Sequence, residues 1–174
     1  MGHMKQLSIT ENNFISDEKI KNRWKLYIDG ASRGNPGFAG AGIYLIRNEK
    51  DVFKRGFFLG VKTNNQAEYF ALVLGLYFAI NHNEFNRLTD SLEIFADSLL
   101  LVKQIKKEYR LKATGLISLY EMAVVLLEHL NFTIHHILRE YNAIADKAAN
   151  QGIDGKILVP LSFEKLCKKH AVVI

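Results

Sequence analysis

Cysteine is nearly absent from this chain of 174 residues, and Cys167 is the only one. A lone thiol excludes a disulfide framework and a cysteine-based zinc ribbon, and it suits a reducing, cytoplasmic setting. No apolar run approaches the roughly 18–20 residues of a membrane span, and no basic-then-apolar leader opens the chain, so no membrane partner is expected. The phosphate-cradling signatures are missing too. Neither G-x-x-x-x-G-K-S/T nor a clean G-x-G-x-x-G occurs, which excludes the common nucleotide-binding loops. Charge of one sign is in short supply: 23 Lys+Arg against 18 Asp+Glu leave a net +5, which permits a polyanionic partner without demanding one. What is present suffices for one globular domain with its own core, since 48% of residues are apolar and 24% charged.

Met1-Gly-His-Met4 reads as a cloning remnant. Residues 1–23 as a whole form a polar, aperiodic arm ahead of a domain over 24–151, and residues 152–174 form a tail with a short helix, Ser162–His170. Within the domain, Leu26 and Ile28 alternate with Tyr27 and Asp29 over Trp24–Asp29, which predicts a strand. Gly30–Gly37 has turn composition, and Ala41–Arg47 and Phe53–Val61 complete an antiparallel meander. From Asn65 to Asn81, Ala67, Ala71, Leu74 and Phe78 recur at helical spacing. Leu92–Asp97 follows as a strand, Leu99–Tyr109 and Gly115–Leu130 as helices, and Phe132–Leu138 as a last strand. Asn142 then stands as N-cap of a helix running to about Gln151. This order predicts an α/β fold, a mixed sheet with helices on its faces.

Four acids fall at element ends or in first turns: Asp29 and Asp97 at strand ends, Glu68 and Asp146 one turn into helices. Any one of them reads as a cap or turn former. Four together can converge on one sheet edge, where unneutralised carboxylates raise one another's pKa. Hard divalent cations remedy that, and an oxygen-only set favours Mg²⁺ or Mn²⁺ over Zn²⁺. His135 and His136, adjacent in a strand, are expected to face opposite ways, one toward the core. Lys103, Lys106, Lys107 and Arg110 at helical spacing form a candidate phosphate-tracking stripe or a solvated face.

The stretches Tyr27-Ile-Asp-Gly-Ala-Ser-Arg-Gly-Asn-Pro-Gly37, Thr63-Asn-Asn-Gln-Ala-Glu-Tyr69, Ile94-Phe-Ala-Asp-Ser98 and Arg139-Glu-Tyr-Asn-Ala-Ile-Ala-Asp146 resemble, in order, the motifs of the type 1 ribonuclease H family. The resemblance implies the ribonuclease H-like fold, a five-stranded mixed sheet with its first strand central and helices on its flanks. It implies that Asp29, Glu68, Asp97 and Asp146 bind two Mg²⁺ ions, with Mn²⁺ as substitute. The implied activity is hydrolysis of the RNA strand of RNA/DNA hybrids, and of double-stranded RNA as a second candidate, leaving 5′-phosphate and 3′-hydroxyl ends. It further implies that Gly30, Asn35, Thr63, Asn64 and Asn142 handle substrate. No histidine lies between Arg139 and Asp146. In this the chain resembles shorter archaeal-like and some bacterial members, in which an arginine, here Arg139, is an electrostatic helper. Only about 33 residues separate Asp97 from the last strand, too few for the basic protrusion of some relatives.

Two rival readings are a non-catalytic hybrid- or RNA-binding module and another nuclease of the same broad fold. Retention of all four acids argues against the first. Ala31 stands where an Asp-x-Glu exonuclease motif would carry its glutamate, which argues against an exonuclease. A monomer is expected, with Ile157–Leu161 and Ala171–Ile174 as a dimerising or core-covering alternative. Setting the four acids aside, 23 basic residues face 14 acidic ones, so a negative pit is expected inside a basic body.

Overall fold

Strand β1 (Asn22–Gly34) alternates strictly where it matters: Trp24, Leu26 and Ile28 are buried on one face, while Lys25 and Tyr27 are half-buried on the other. This computed structural model describes residues 16–174. Residues 1–15 of the expected arm lie outside the described residues, and Asn22 and Arg23 already belong to β1. Antiparallel β2 (Gly37–Arg47) and β3 (Lys50–Lys62) follow, then α1 (Asn64–Ile80), β4 (Asp90–Ala96), α2 (Leu99–Ile105), α3 (Ile117–Leu127), β5 (Asn131–His136), α4 (Ala143–Gly155) and α5 (Leu161–Lys169).

The sheet runs β3-β2-β1-β4-β5, with β1 parallel to β4 and β4 parallel to β5. The central strand is therefore the first, as the resemblance implies. Gly30–Gly34 does not turn. It continues β1 in register with β2 as far as Gly34 opposite Gly37, because a paired ladder satisfies its backbone groups. Gly30 serves a different purpose. A Cβ there would lie 2.2 Å from the Glu68 amide nitrogen, so glycine lets α1 approach β1.

The two sheet faces are covered by different helices. Ile28 pairs with Ile43, and Gly75 of α1 meets the Leu26 and Ile28 side chains, so α1 lies on that face. Asp29 pairs with Gly42, and a Cβ on Gly42 would fall 1.9 Å from the Ala145 carbonyl, so α4 lies on the opposite face. α3 packs outside α1. The segment after α4 closes the β3 edge, where Phe58 N–H donates to the Ile157 carbonyl at 2.7 Å. Val159, Phe163, Cys167 and Val172 then enter the main core. Core covering is thus what the tail does here, while Leu158, Leu161 and Val173 remain exposed.

Two helices are shorter than their sequence predicts. α2 stops at Ile105 because Lys107 adopts a left-handed conformation (φ 61°). α3 begins only at Ile117, behind a 3-10 turn at Thr114–Leu116. Among the described residues, no helix is long and apolar enough to cross a membrane.

Candidate active site

The parallel register ends with Ile28 opposite Ala96, so Asp29 on β1 and Asp97, one residue past β4, emerge side by side. Asp29 does not close its strand; it sits in mid-β1, beside the point where β4 stops. Glu68 arrives from α1. Thr63 starts that helix with a capping box: its side chain accepts the Gln66 amide at 3.3 Å, and Gln66 Oε1 accepts the Thr63 amide at 3.0 Å. The Thr-x-x-Gln spacing carries that cap in the sequence itself. Ser98 caps α2 with its side chain alone, accepting the Leu101 amide at 3.3 Å.

Oxygen atoms of Asp29, Glu68 and Asp97 all lie within 4.8 Å of one another. Burial, then the charges of Asp97 and Asp146, push the Asp29 carboxyl up to about 7, with Arg139 opposing. Burial also raises Glu68 well above the usual carboxylate range. Asp29 and Asp97 add to that rise, while the Gly30 N–H and Arg139 oppose it. Glu68 Oε2 is buried with no hydrogen-bond partner. A carboxylate oxygen so placed fits a hard cation, which would supply both the missing ligand contact and the missing positive charge. The donor set, all oxygen, fits Mg²⁺ or Mn²⁺.

Asp146 stands outside that trio, in the first turn of α4, and accepts from Arg139 Nη2 at 2.7 Å. Arg139 does not share its helix, because α4 begins at Ala143 and Arg139 belongs to a preceding 3-10 turn, Arg139–Tyr141. The pair forms because that turn folds back on the helix end. Asp146 is held against the sheet by a seam of small residues. Cβ atoms on Gly40, Gly42 and Gly56 would strike the carbonyls of Ala149, Ala145 and Ala148 at 2.4, 1.9 and 1.7 Å.

Asn35 and Asn64 are brought together: Asn35 Oδ1 accepts the Asn64 amide at 3.1 Å, and both side chains are exposed. Asn142 occupies the N-cap position of α4, yet its side chain makes no cap bond. It is buried, and Nδ2 donates to the Ile28 carbonyl at 2.9 Å and to Asp97 Oδ1 at 3.4 Å. No local spacing signals those bonds, which cross from α4 to β1 and β4.

Two expectations are corrected. His135 and His136 are both exposed, because β5 is an edge strand and its end overruns the core. His135 stacks on Phe95, and His136 Nε2 lies 3.2 Å from the Asp97 carbonyl. The basic stripe also dissolves where α2 ends. Lys103 pairs with Glu108 at 2.9 Å and lies over the Tyr109 ring, while Lys106 and Lys107 fall beyond the helix.

A five-stranded sheet of this order, with carboxylates gathered where β1 passes the end of β4, defines the ribonuclease H-like class. A profile of the reverse transcriptase-like family matches residues 27–152. The chain belongs to this family, in its type 1 ribonuclease H form. It is 35% identical over 130 residues to ribonuclease HI of Halobacterium salinarum, spanning 74% of this chain and 63% of that protein. The crystal structure of the Halobacterium enzyme superimposes with a TM-score of 0.70 at 36% identity, covering 76% of this chain and 98% of that one. A bifunctional protein of Mycobacterium tuberculosis is 31% identical over 129 residues, 72% of this chain but only 34% of its own length. A ribonuclease H1 solved in complex with an RNA/DNA hybrid superimposes with a TM-score of 0.68 at 29% identity, covering 76% of this chain and 97% of that one. Of the two full-length sequence relatives, from Halobacterium and Mycobacterium, the chain spans less than two thirds, 63% and 34%.

Proposed function

We propose that this protein is an endoribonuclease that hydrolyses the RNA strand of RNA/DNA hybrids. The observation that carries the reading is the convergence of Asp29, Glu68 and Asp97 within 4.8 Å, with one buried Glu68 oxygen unpartnered. Three carboxylates so placed are costly without a cation. A site that only bound a polyanion would gain nothing from them.

In this reading Asp29, Glu68, Asp97 and Asp146 hold two Mg²⁺ ions, or Mn²⁺ in their place. Bound there, the metal supplies activation of a water and stabilisation of the leaving 3′-oxygen. The chain's own residues do the rest. Arg139, exposed beside Asp146, places a positive charge next to the scissile phosphate. Asn35, Thr63 and Asn64, at the junction of the β1–β2 turn and α1, grip the nucleic-acid backbone, and backbone groups near Gly30 add contacts to the RNA strand. Hydrolysis leaves a 5′-phosphate and a 3′-hydroxyl with no covalent enzyme intermediate. The related enzyme bound to an RNA/DNA hybrid supports the substrate class.

The test is cleavage of an end-labelled hybrid with Mg²⁺, with Mn²⁺ and with EDTA, by wild type and by Asp97→Asn. Metal-dependent cutting of the RNA strand is expected, with a loss of about a thousand-fold or more (roughly 4 kcal/mol) in Asp97→Asn. Full activity in that variant would sink the site. Tight hybrid binding without any cutting would leave a binding module. Double-stranded RNA in a parallel lane decides the second substrate.

A further inference from the structure

One residue touches three of the four elements that carry the carboxylates. The Asn142 carbonyl accepts the Asp146 amide at 3.0 Å, which opens the hydrogen-bond ladder of α4. Its Nδ2 donates to the carbonyl of Ile28, the residue before Asp29 on β1, at 2.9 Å, and to Asp97 Oδ1 at 3.4 Å. Both partners are acceptors, so the donor end of the amide must face them.

The arrangement carries two costs. An asparagine at an N-cap ordinarily turns its side chain to the first-turn amides of its own helix, and this one makes no such bond. Its Oδ1 is buried without a partner, and the residue is only 1% exposed. A buried, unpaired amide oxygen is unfavourable. Both costs are accepted for the sake of two donations across the molecule.

We propose that Asn142 is a positioning residue of the metal site. Its amide ties the end of β4 to β1 and holds the Asp97 carboxylate toward Asp29 and Glu68, while its backbone seats the turn that carries Asp146. The inference rests on the four carboxylates being metal ligands. It assigns Asn142 a role other than substrate contact, because so deeply buried a side chain does not meet nucleic acid. A neutral donor suits the task. It steers a carboxylate without adding the positive charge by which a lysine or arginine would compete with the metal.

The test uses the full chain with Asn142→Ala and Asn142→Ser. The serine variant retains the ability to cap α4 but is too short to reach Asp97. Three quantities are measured: Mn²⁺ affinity by calorimetry without nucleic acid, kcat and KM on an RNA/DNA hybrid, and the melting temperature. Both variants are expected to bind Mn²⁺ about ten-fold or more weakly. Their kcat should fall in the same range, with KM within about two-fold of wild type and partial recovery at high Mn²⁺. Unchanged Mn²⁺ affinity in a variant that melts like wild type would overturn the proposal. So would a raised KM with intact kcat, which marks a substrate contact. If the alanine variant does not fold, the serine variant decides. If wild type cuts no hybrid, the activity reading fails while the Mn²⁺ titration still judges Asn142.

Discussion

On one face of the sheet, α1 buries Tyr69, Phe70, Leu72, Val73, Leu74 and Leu76 and delivers Glu68 from its first turns. On the other, α4 buries only Ala145, Ala148, Ala149, Gly152 and Ile153 and delivers Asp146. The first helix is held by large interdigitating side chains. The second is held by backbone approaching backbone, through glycines at which a Cβ would lie 1.7–2.4 Å from an α4 carbonyl. One consequence is a division inside the site. Asp29, Glu68 and Asp97 form a trio anchored in the core, and Asp146 with Arg139 stands at the edge of a thin seam. Loss of packing on the α1 face should therefore appear first as lost stability, and loss on the α4 face first as lost activity.

Leu72→Ala tests the α1 side with the largest expected effect. Leu72 is fully buried, and its truncation should cost about 2–5 kcal/mol in denaturant unfolding. A cost below about 1 kcal/mol would mean that α1 is not the anchor. Gly56→Ala tests the seam, because its Cβ would meet the Ala148 carbonyl at 1.7 Å. About 1–3 kcal/mol of stability should be lost as α4 shifts, and kcat should fall further than in Leu72→Ala when both are assayed fully folded. Equal kcat in the two variants would erase the distinction between the faces.

Asp146→Asn sharpens the division within the site. It removes the charge that pairs with Arg139 but leaves the trio intact, so a loss of about 10–100-fold in kcat is expected, well short of that in Asp97→Asn. Parity between the two variants would make the four acids equivalent.

The smallest effect is on pH dependence. The Asp29 carboxyl rises from its ordinary 3.8 to about 7 in the folded, metal-free protein, so between those values the folded state holds more proton than the unfolded. That contribution to stability is full below pH 4 or so and is lost as pH rises through about 7. The metal-free melting temperature should thus fall between about pH 4 and pH 7, Mg²⁺ should raise it more at the higher pH, and Asp29→Asn should flatten the slope. A metal-free protein that grew more stable over that range would contradict the crowding.

Much of the fold was legible because its signals are local. The alternation in Trp24–Ile28 and the period of α1 both express which side of an element meets the core. The errors share a cause. Gly30–Gly34 has the composition of a turn, but pairing with β2 and the approach of α1 decide its conformation. Alternation assigns one of His135 and His136 to the core, but β5 lies at the sheet edge and its end has no core beneath it. Helical spacing lines up Lys103 with Arg110, but Lys107 leaves the helix first.

The candidate site divides in the same manner. The identity and order of its four acids, their places near strand ends and first turns, and the Thr63 cap belong to the sequence, since each depends on neighbours a few residues away. Which oxygens come within 4.8 Å, why Asp146 pairs with Arg139 while the trio makes no ion pair among the described residues, and what Asn142 does with its amide belong to the tertiary structure. Those distances arise from strand register and from two helices docking on opposite faces. Contacts between residues as far apart as Ile28 and Asn142 leave no trace in any local spacing.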